Sequence, residues 1–199
     1  MIIGVINIKG GVGKTTSSLA IATAAQRSGL SVTVVDTDPQ GSATLWAQAA
    51  EDADDPLPFP VVSRNQAEIR RMRERRPDRD GELIVIDTPP NGAVVDEAIK
   101  TADFVVIPTL SSPIDLQQTM LTAAQCQDAG KDYAVLIVMA RKGTNALRAF
   151  RTAVEEYGAG IFDTEIPLRE DFQADFGHTF RSNLNGYEDV WNELRGELR

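Results

Sequence analysis

The sequence is poor in the residues that hold metals and disulfides. It has one cysteine, Cys126, and one histidine, His178. A single chain of this kind can build neither a disulfide framework nor a thiolate-held metal or iron–sulfur centre, and it offers no second imidazole for a zinc site. Cys126 falls in a stretch that reads as helix and is expected as a buried or half-buried thiol. His178 is expected as a surface or satisfied histidine. Long apolar runs are missing as well. The apolar start from Met1 to Ile8 has no basic segment before it and runs into Lys9 and a glycine cluster, which is too short for a signal peptide or a membrane span. No later segment reaches the roughly 18 apolar residues that a span needs. The expectation is a cytoplasmic protein with no membrane anchor. Positive charge is in deficit: 20 Lys and Arg against 29 Asp and Glu leave a formal charge of −9. Long-range repulsion of a polyanion then excludes nucleic-acid binding over the whole surface, while local basic patches stay open.

What is present points to an α/β chain. With 199 residues, 42% of them hydrophobic, and about 150 residues to a typical domain, residues 1–199 are expected to form one domain with a substantial core. Short β-branched runs read as buried parallel strands at Ile2 to Asn7, Ser31 to Asp36, Leu83 to Asp87, Phe104 to Pro108, Ala134 to Met139 and Gly160 to Ile166. Helical patterns alternate with them: Lys14 to Ser28, Ser42 to Ala53, Gln66 to Arg76, Val94 to Thr101, Leu116 to Ala129, Asn145 to Tyr157 and Tyr187 to Leu198. This alternation predicts a mostly parallel β-sheet flanked by helices. The acidic, proline-containing piece from Glu51 to Pro60 reads as a surface loop.

The densest chemistry lies in Lys9-Gly10-Gly11-Val12-Gly13-Lys14-Thr15-Thr16, directly after a strand and opening a helix. Glycines let the backbone turn tightly and aim N–H groups at phosphate oxygens. The helix start adds partial positive charge, Lys14 can reach the β- and γ-phosphates, and Thr15 can ligate Mg²⁺. Two acidic segments end strands. Val35-Asp36-Thr37-Asp38-Pro39-Gln40-Gly41 closes the second, and in an open parallel sheet ligands sit outside the carboxyl ends of strands, so both aspartates face the crevice of the phosphate loop. Leu83-Ile84-Val85-Ile86-Asp87-Thr88-Pro89-Pro90 is an apolar strand ending in a carboxylate, as Walker B segments do, and Asp87 is expected to hold Mg²⁺ through water.

The loop has Ile8 where an ordinary Walker A motif wants glycine, and it has the additional Lys9. In this it resembles the deviant Walker A motif of the ParA/MinD superfamily of P-loop ATPases, and most closely the short ParA-type partition ATPases. Pro108 to Asp115 matches that family's proline-containing stretch near the dimer face. The resemblance implies a P-loop NTPase fold, ATP and Mg²⁺ as ligands, and weak ATPase activity stimulated by a partner. It also implies an ATP-dependent homodimer in which Lys9 reaches the partner's phosphates. Asp38 would orient the attacking water, Asp36 would hold the Mg²⁺ water shell, and Thr88 to Gly92 would sense the γ-phosphate. Many relatives carry asparagine after the strand that ends here at Met139, whereas this chain has Ala140 and Arg141. Base contacts are therefore expected from Ile166, Pro167, Leu168 and Arg169.

Two basic groups stand out against the acidic background. Arg64, Arg70, Arg71, Arg73, Arg75, Arg76 and Arg79 are diluted by Glu68, Glu74 and Asp78, and read as well as solvated helix faces with arginine–glutamate pairs. Arg141, Lys142, Arg148 and Arg151 match the region that relatives use for DNA and are the expected DNA contacts. The C-terminal helix interleaves acids with Val190, Leu194 and Leu198, so it is expected to pack on the core rather than on a membrane. The reading is a nucleoid-associated switch that binds nonspecific DNA and drives plasmid or chromosome partition through a centromere- or cargo-binding adaptor. The alternative is the same switch positioning a protein cargo over the nucleoid, and the third is a metabolic P-loop ligase or maturation ATPase.

Overall fold

A computed structural model of the chain describes residues 1–74, 81–169, 175–181 and 183–197. Six parallel strands form one sheet: β1 (Ile2–Val5), β2 (Ser31–Asp36), β3 (Val61–Ser63), β4 (Glu82–Asp87), β5 (Phe104–Thr109) and β6 (Asp132–Ile137), in the order β3-β2-β4-β1-β5-β6. The helices are α1 (Lys14–Arg27), α2 (Ser42–Asp52), α3 (Gln66–Glu74), α4 (Ala93–Thr101), α5 (Pro113–Asp128), α6 (Asn145–Glu156) and α7 (Tyr187–Glu197). The strands are apolar on successive residues because both faces of the sheet are covered. Ile3, Val5, Val34, Val85 and Val106 pack with α1, α2 and α7, whereas Ile2, Val35, Ile86, Val105 and Ile107 pack with α3, α4 and α5.

Local chemistry sets several boundaries. α5 begins at Pro113, three residues before its expected start, because Ser112 caps it and proline suits a first helical position. Cys126 is fully buried there, and burial pushes its thiol up to about 12. α6 is capped by Thr144, whose hydroxyl accepts the Leu147 amide at 3.3 Å, and it buries Leu147, Phe150 and Val154 at helical spacing. α7 packs Val190, Trp191 and Leu194 into the core, as its apolar spacing predicts, and the Trp191 indole donates to Ser28 on α1's terminal turn at 3.0 Å. Arg75, Arg76, Arg79 and Leu198 lie outside the described residues.

Two expectations about strands need correction. The sheet's sixth strand is Val61–Ser63, a three-residue edge beside β2 that is too short to show a pattern. Gly160 to Ile166 is not a strand. It touches β6 through the bridge Val135–Ile161 and the hydrogen bond from Ile166 to Ile137, and the next bridge, Ala140–Pro167, lies beyond both. Between the first two the backbone leaves the ladder. The amides of Asp163 and Thr164 instead meet the carboxylate of Glu193 at 2.8 and 3.0 Å. The segment approaches β6 so closely at Gly160 that an added Cβ would lie 2.7 Å from the carbonyl oxygen of Tyr133. Gly160→Ala is therefore expected to cost about 1–3 kcal/mol through a forced backbone shift, lowering the midpoint of a thermal melt by several degrees. An unchanged melt would show that the segment moves away freely.

Candidate functional site

Parallel strands send all their carboxyl ends to one edge, and the expected site residues gather there. Asp36 and Asp87 are register partners at the ends of β2 and β4, and Val5 at the end of β1 is the partner of Asp87. The phosphate loop thus leaves the sheet beside two buried carboxylates. Its path is pinned by Asn7, a fully buried side chain that donates to the Pro108 carbonyl and accepts the Lys9 amide, both at 2.9 Å. Gly11 and Gly13 take φ of +76° and +72°, a region that side chains resist. Gly13 caps α1 with no side-chain acceptor, and the first turn contains no acid. The amides opening this helix are therefore left to whatever occupies the cleft, which suits an anion.

That cleft has a volume of about 340 Å³ and is lined by loop residues between Gly10 and Thr16 together with Asp38, Ser42, Trp46 and Phe176. Lys14 is buried and donates to the Lys9 carbonyl at 2.8 Å. Burial lowers its pKa, an effect opposed by the charges of Asp87 and Asp38. Thr15 donates to one oxygen of Asp87 at 2.7 Å and Ser18 to the other at 3.0 Å. Burial raises the Asp87 pKa to about 7; the Thr15 and Ser18 hydrogen bonds and the Lys14 charge work against that rise, while the Asp36 charge adds to it. Asp36 spends its oxygens on structure, one accepting the Asp38 amide at 3.1 Å and the other the Thr44 amide and hydroxyl at 2.9 and 2.8 Å. It thereby holds the start of α2 against the strand end. Asp38 accepts the Gln40 amide at 2.9 Å and stands on the cleft wall. Thr15 and Asp87 bring together hard oxygen donors, the chemistry that Mg²⁺ takes, with the Asp36 carboxylate adding negative charge on the same rung of the sheet.

Lys9 stands apart from the other loop residues. Its ammonium is bonded to the carboxylate of Asp115, which is only 2% exposed and is also bonded by the Ser112 hydroxyl. Asp115 was missed as a site residue, although Ser112-x-x-Asp115 carries the spacing of a capping box. Asn7, Ser18 and Thr44 were missed too, and nothing in the sequence marks them apart from other polar residues near strand ends.

On the other side of the phosphate loop lies an apolar cleft of about 140 Å³ between Thr16, Val138, Met139, Pro167, Leu168 and Tyr187, with Arg169 also on its wall. The strap Ile166 to Arg169 is held by two hydrogen bonds to Ala140: the Ala140 amide donates to Ile166 and its carbonyl accepts from Leu168, at 2.8 and 3.1 Å. The Ala140 side chain is buried in the cluster formed with Leu147, Phe150 and Val154 of α6. Met139 has a φ of +51°, an uncommon conformation for a residue with a side chain.

The basic groups divide. Arg64, Arg70 and Arg73 face Glu68, Glu74 and Glu97 at 3.6, 4.0 and 3.4 Å, the paired-helix reading of that cluster. Arg141, Lys142 and Arg148 are exposed, with Arg148 bonded to Gly143 and Asn145 on its own turn. Arg151 departs from the expectation: its guanidinium donates to the carbonyls of Phe162 and Asp163 at 2.8 and 3.3 Å and faces Glu165 at 3.5 Å. It ties chain to chain, which leaves it little to offer a DNA phosphate.

Because burial disfavours the charged form of Asp87, the ligand-free protein loses stability as pH rises from the ordinary carboxylate range, around 4, through about 7. Asp87→Asn should remove this loss and raise the melting temperature of the nucleotide- and magnesium-free protein at pH 8 by roughly 2–4 °C, with little change at pH 5. Equal melts of the two proteins at pH 8 would show that the buried carboxylate carries no such cost.

The family model of the CobQ/CobB/MinD/ParA nucleotide binding domain matches residues 3–179. The chain is 34% identical to the maintenance of carboxysome distribution protein A of Gloeobacter kilaueensis, over 83% of this chain and 76% of that one. It is 26% identical to protein ParA of Rhizobium radiobacter, over 92% and 85% of the two chains. Its fold is that of a plasmid partition protein from Borrelia burgdorferi solved with AMPPNP, with a TM-score of 0.74 at 18% identity and 98% of both chains covered. No described helix is long and apolar enough to cross a membrane. With a phosphate loop, two strand-end carboxylates and a family match running through nearly the whole chain, this protein belongs to the CobQ/CobB/MinD/ParA nucleotide-binding family.

Proposed function

We propose that this chain is an ATP-dependent dimerisation switch, with weak and partner-stimulated ATPase activity, that positions a large protein assembly over the nucleoid. The observation that carries the reading is the placement of Lys9. The additional lysine of the loop is held on Asp115, beside the phosphate cleft and not among its lining residues, with 29% of its side chain exposed. A lysine not committed to its own chain's phosphates is available to a second copy. The uncapped amides of the loop and Lys14 would hold the ATP phosphates. Thr15 and Asp87 would hold Mg²⁺, with Asp36 adding negative charge on the same rung of the sheet. Bound Mg²⁺ would neutralise charge developing on the phosphates. Asp38, on the cleft wall, would orient the attacking water. Pro167, Leu168 and Arg169 would enclose the base.

The cargo reading follows the relatives. DNA partition, placed first from the sequence, yields to protein-cargo positioning, because the 34% identical relative is a carboxysome distribution protein. Partition remains the second reading, favoured by the ParA relative that aligns with 92% of the chain. Both use nonspecific DNA as a track and an adaptor that stimulates hydrolysis. For the track we assign Arg141, Lys142 and Arg148, which lie together on the exposed start of α6 and its preceding loop.

The test is molar mass and DNA retention of the purified protein with no nucleotide, with ADP and with a nonhydrolysable ATP analogue. Dimers that hold DNA only with the analogue are expected. Lys14→Ala should lose nucleotide binding, and Asp38→Ala should accumulate as an ATP-bound dimer; a monomer that binds ATP normally in the latter variant overturns the switch. Replacing Arg141 and Arg148 with alanine should weaken DNA binding and flatten its log–log salt dependence by about one unit for each phosphate that is no longer neutralised. An unchanged slope moves the track elsewhere. Deleting the gene separates the cargoes: clustering of a protein assembly supports the first reading, and loss of a plasmid the second.

A further inference from the structure

The strap that closes the base cleft is held to the exit of β6 at Ile166 and Leu168, and the turn that leads into it is not. Gly160 to Phe162 pairs with β6 through Val135, and Ile166 pairs with Ile137 of β6 and with Ala140 just past its end. Between them the chain lifts off, and this lifted turn leads directly into Pro167 and Leu168. Two side chains grip it. Glu193 of α7 accepts the Asp163 amide with one carboxylate oxygen and the Thr164 amide with the other, at 2.8 and 3.0 Å. Arg151 of α6 takes the carbonyls of Phe162 and Asp163. The same α7 reaches the base cleft directly. Tyr187, fully buried at its first turn, lines that cleft and shares a hydrogen bond of 2.8 Å with Ser17 of α1, the helix that opens at the phosphate loop. Trp191, one turn on, is bonded to Ser28 at the far end of α1.

We infer that Glu193 is a positioning residue for nucleotide-base recognition, setting the height of the Pro167–Leu168 strap over the base cleft relative to the phosphate loop. The inference rests on the nucleotide reading of that cleft given above. A carboxylate gripping two successive amides fixes the turn in two directions, and α7 is itself indexed to α1 by Tyr187 and Trp191. One helix thus lines the base cleft and packs on α1, the helix that opens at the phosphate loop. Losing the grip frees the turn and leaves the phosphate loop untouched, so the deficit should appear only for ligands that carry a base.

The experiment is calorimetric titration of wild type, Glu193→Gln and Glu193→Ala with the ATP analogue, the GTP analogue and inorganic triphosphate, alongside thermal melts. The expected result for Glu193→Ala is a Kd for the ATP analogue raised about tenfold, a narrowed preference between the two nucleotides, and triphosphate binding unchanged. Glu193→Gln, which keeps one acceptor oxygen and turns an amide donor toward the second N–H, should fall between. Unchanged ATP-analogue affinity in folded Glu193→Ala overturns the inference. So does an equal loss for the analogue and triphosphate, the mark of a merely structural role. Should Glu193→Ala fail to fold, Glu193→Gln decides on the same readouts. A wild type that binds none of the nucleotides sinks the functional reading itself, whereas a wild type that binds with an unaffected Glu193→Ala sinks only this inference.

Discussion

The structure turns on the burial of Asp87 at the end of a central strand. A carboxylate taken out of water is costly unless its oxygens are bonded or its charge is met. Here it has the hydroxyls of Thr15 and Ser18 and the nearby charge of Lys14, and its pKa still stands near 7. Everything around it follows from that tension. α1 must begin where Thr15 and Ser18 can reach β4, which fixes the angle at which the phosphate loop leaves β1. Asp36, one strand away, turns its own oxygens to the start of α2. The ends of β2 and β4 are further closed by Thr37, whose hydroxyl and amide both donate to the Asp87 carbonyl, at 2.7 and 3.0 Å. A site that concentrates uncompensated charge is one that a cation and a polyphosphate stabilise together.

A second charge pair sits just outside this centre. Asp115 is buried at the start of α5 and has the Ser112 hydroxyl and the Lys9 ammonium as partners. The link joins the phosphate loop to α5, on the face of the sheet opposite α1. Lys9 thus has two jobs within one chain: its carbonyl receives Lys14 inside the cleft, and its ammonium reaches outside it. The backbone and side chain of one residue connect the phosphate-binding interior to a surface that another molecule can approach.

The side of the site proposed for the base is built by different means. Where the phosphate side is made of glycine backbone and paired charges, the proposed base cleft is apolar. Tyr187, Pro167 and Val138 are brought together from the first turn of α7, a strap bridged to Ala140 and the exit of β6. Arg151 illustrates the difference. Its charge made it a candidate for binding DNA, yet it serves the strap by satisfying carbonyls that the sheet leaves open.

The sequence by itself determined the α/β class, the phosphate loop, the two strand-end aspartates and the described helices to within about a turn. Those features are local: glycine at required turns, β-branched runs, and acids at strand ends. Only the tertiary structure decided the rest. Val61–Ser63 is too short to announce a strand and becomes one because β2 offers it an edge. Gly160 to Ile166 has the composition of a strand but leaves the ladder at the two amides that meet Glu193, some thirty residues away in the chain. Lys9 meets Asp115 across a separation of 106 residues. Pairings over such distances depend on how helices from both faces of the sheet converge on one edge, and no local pattern of residues encodes that.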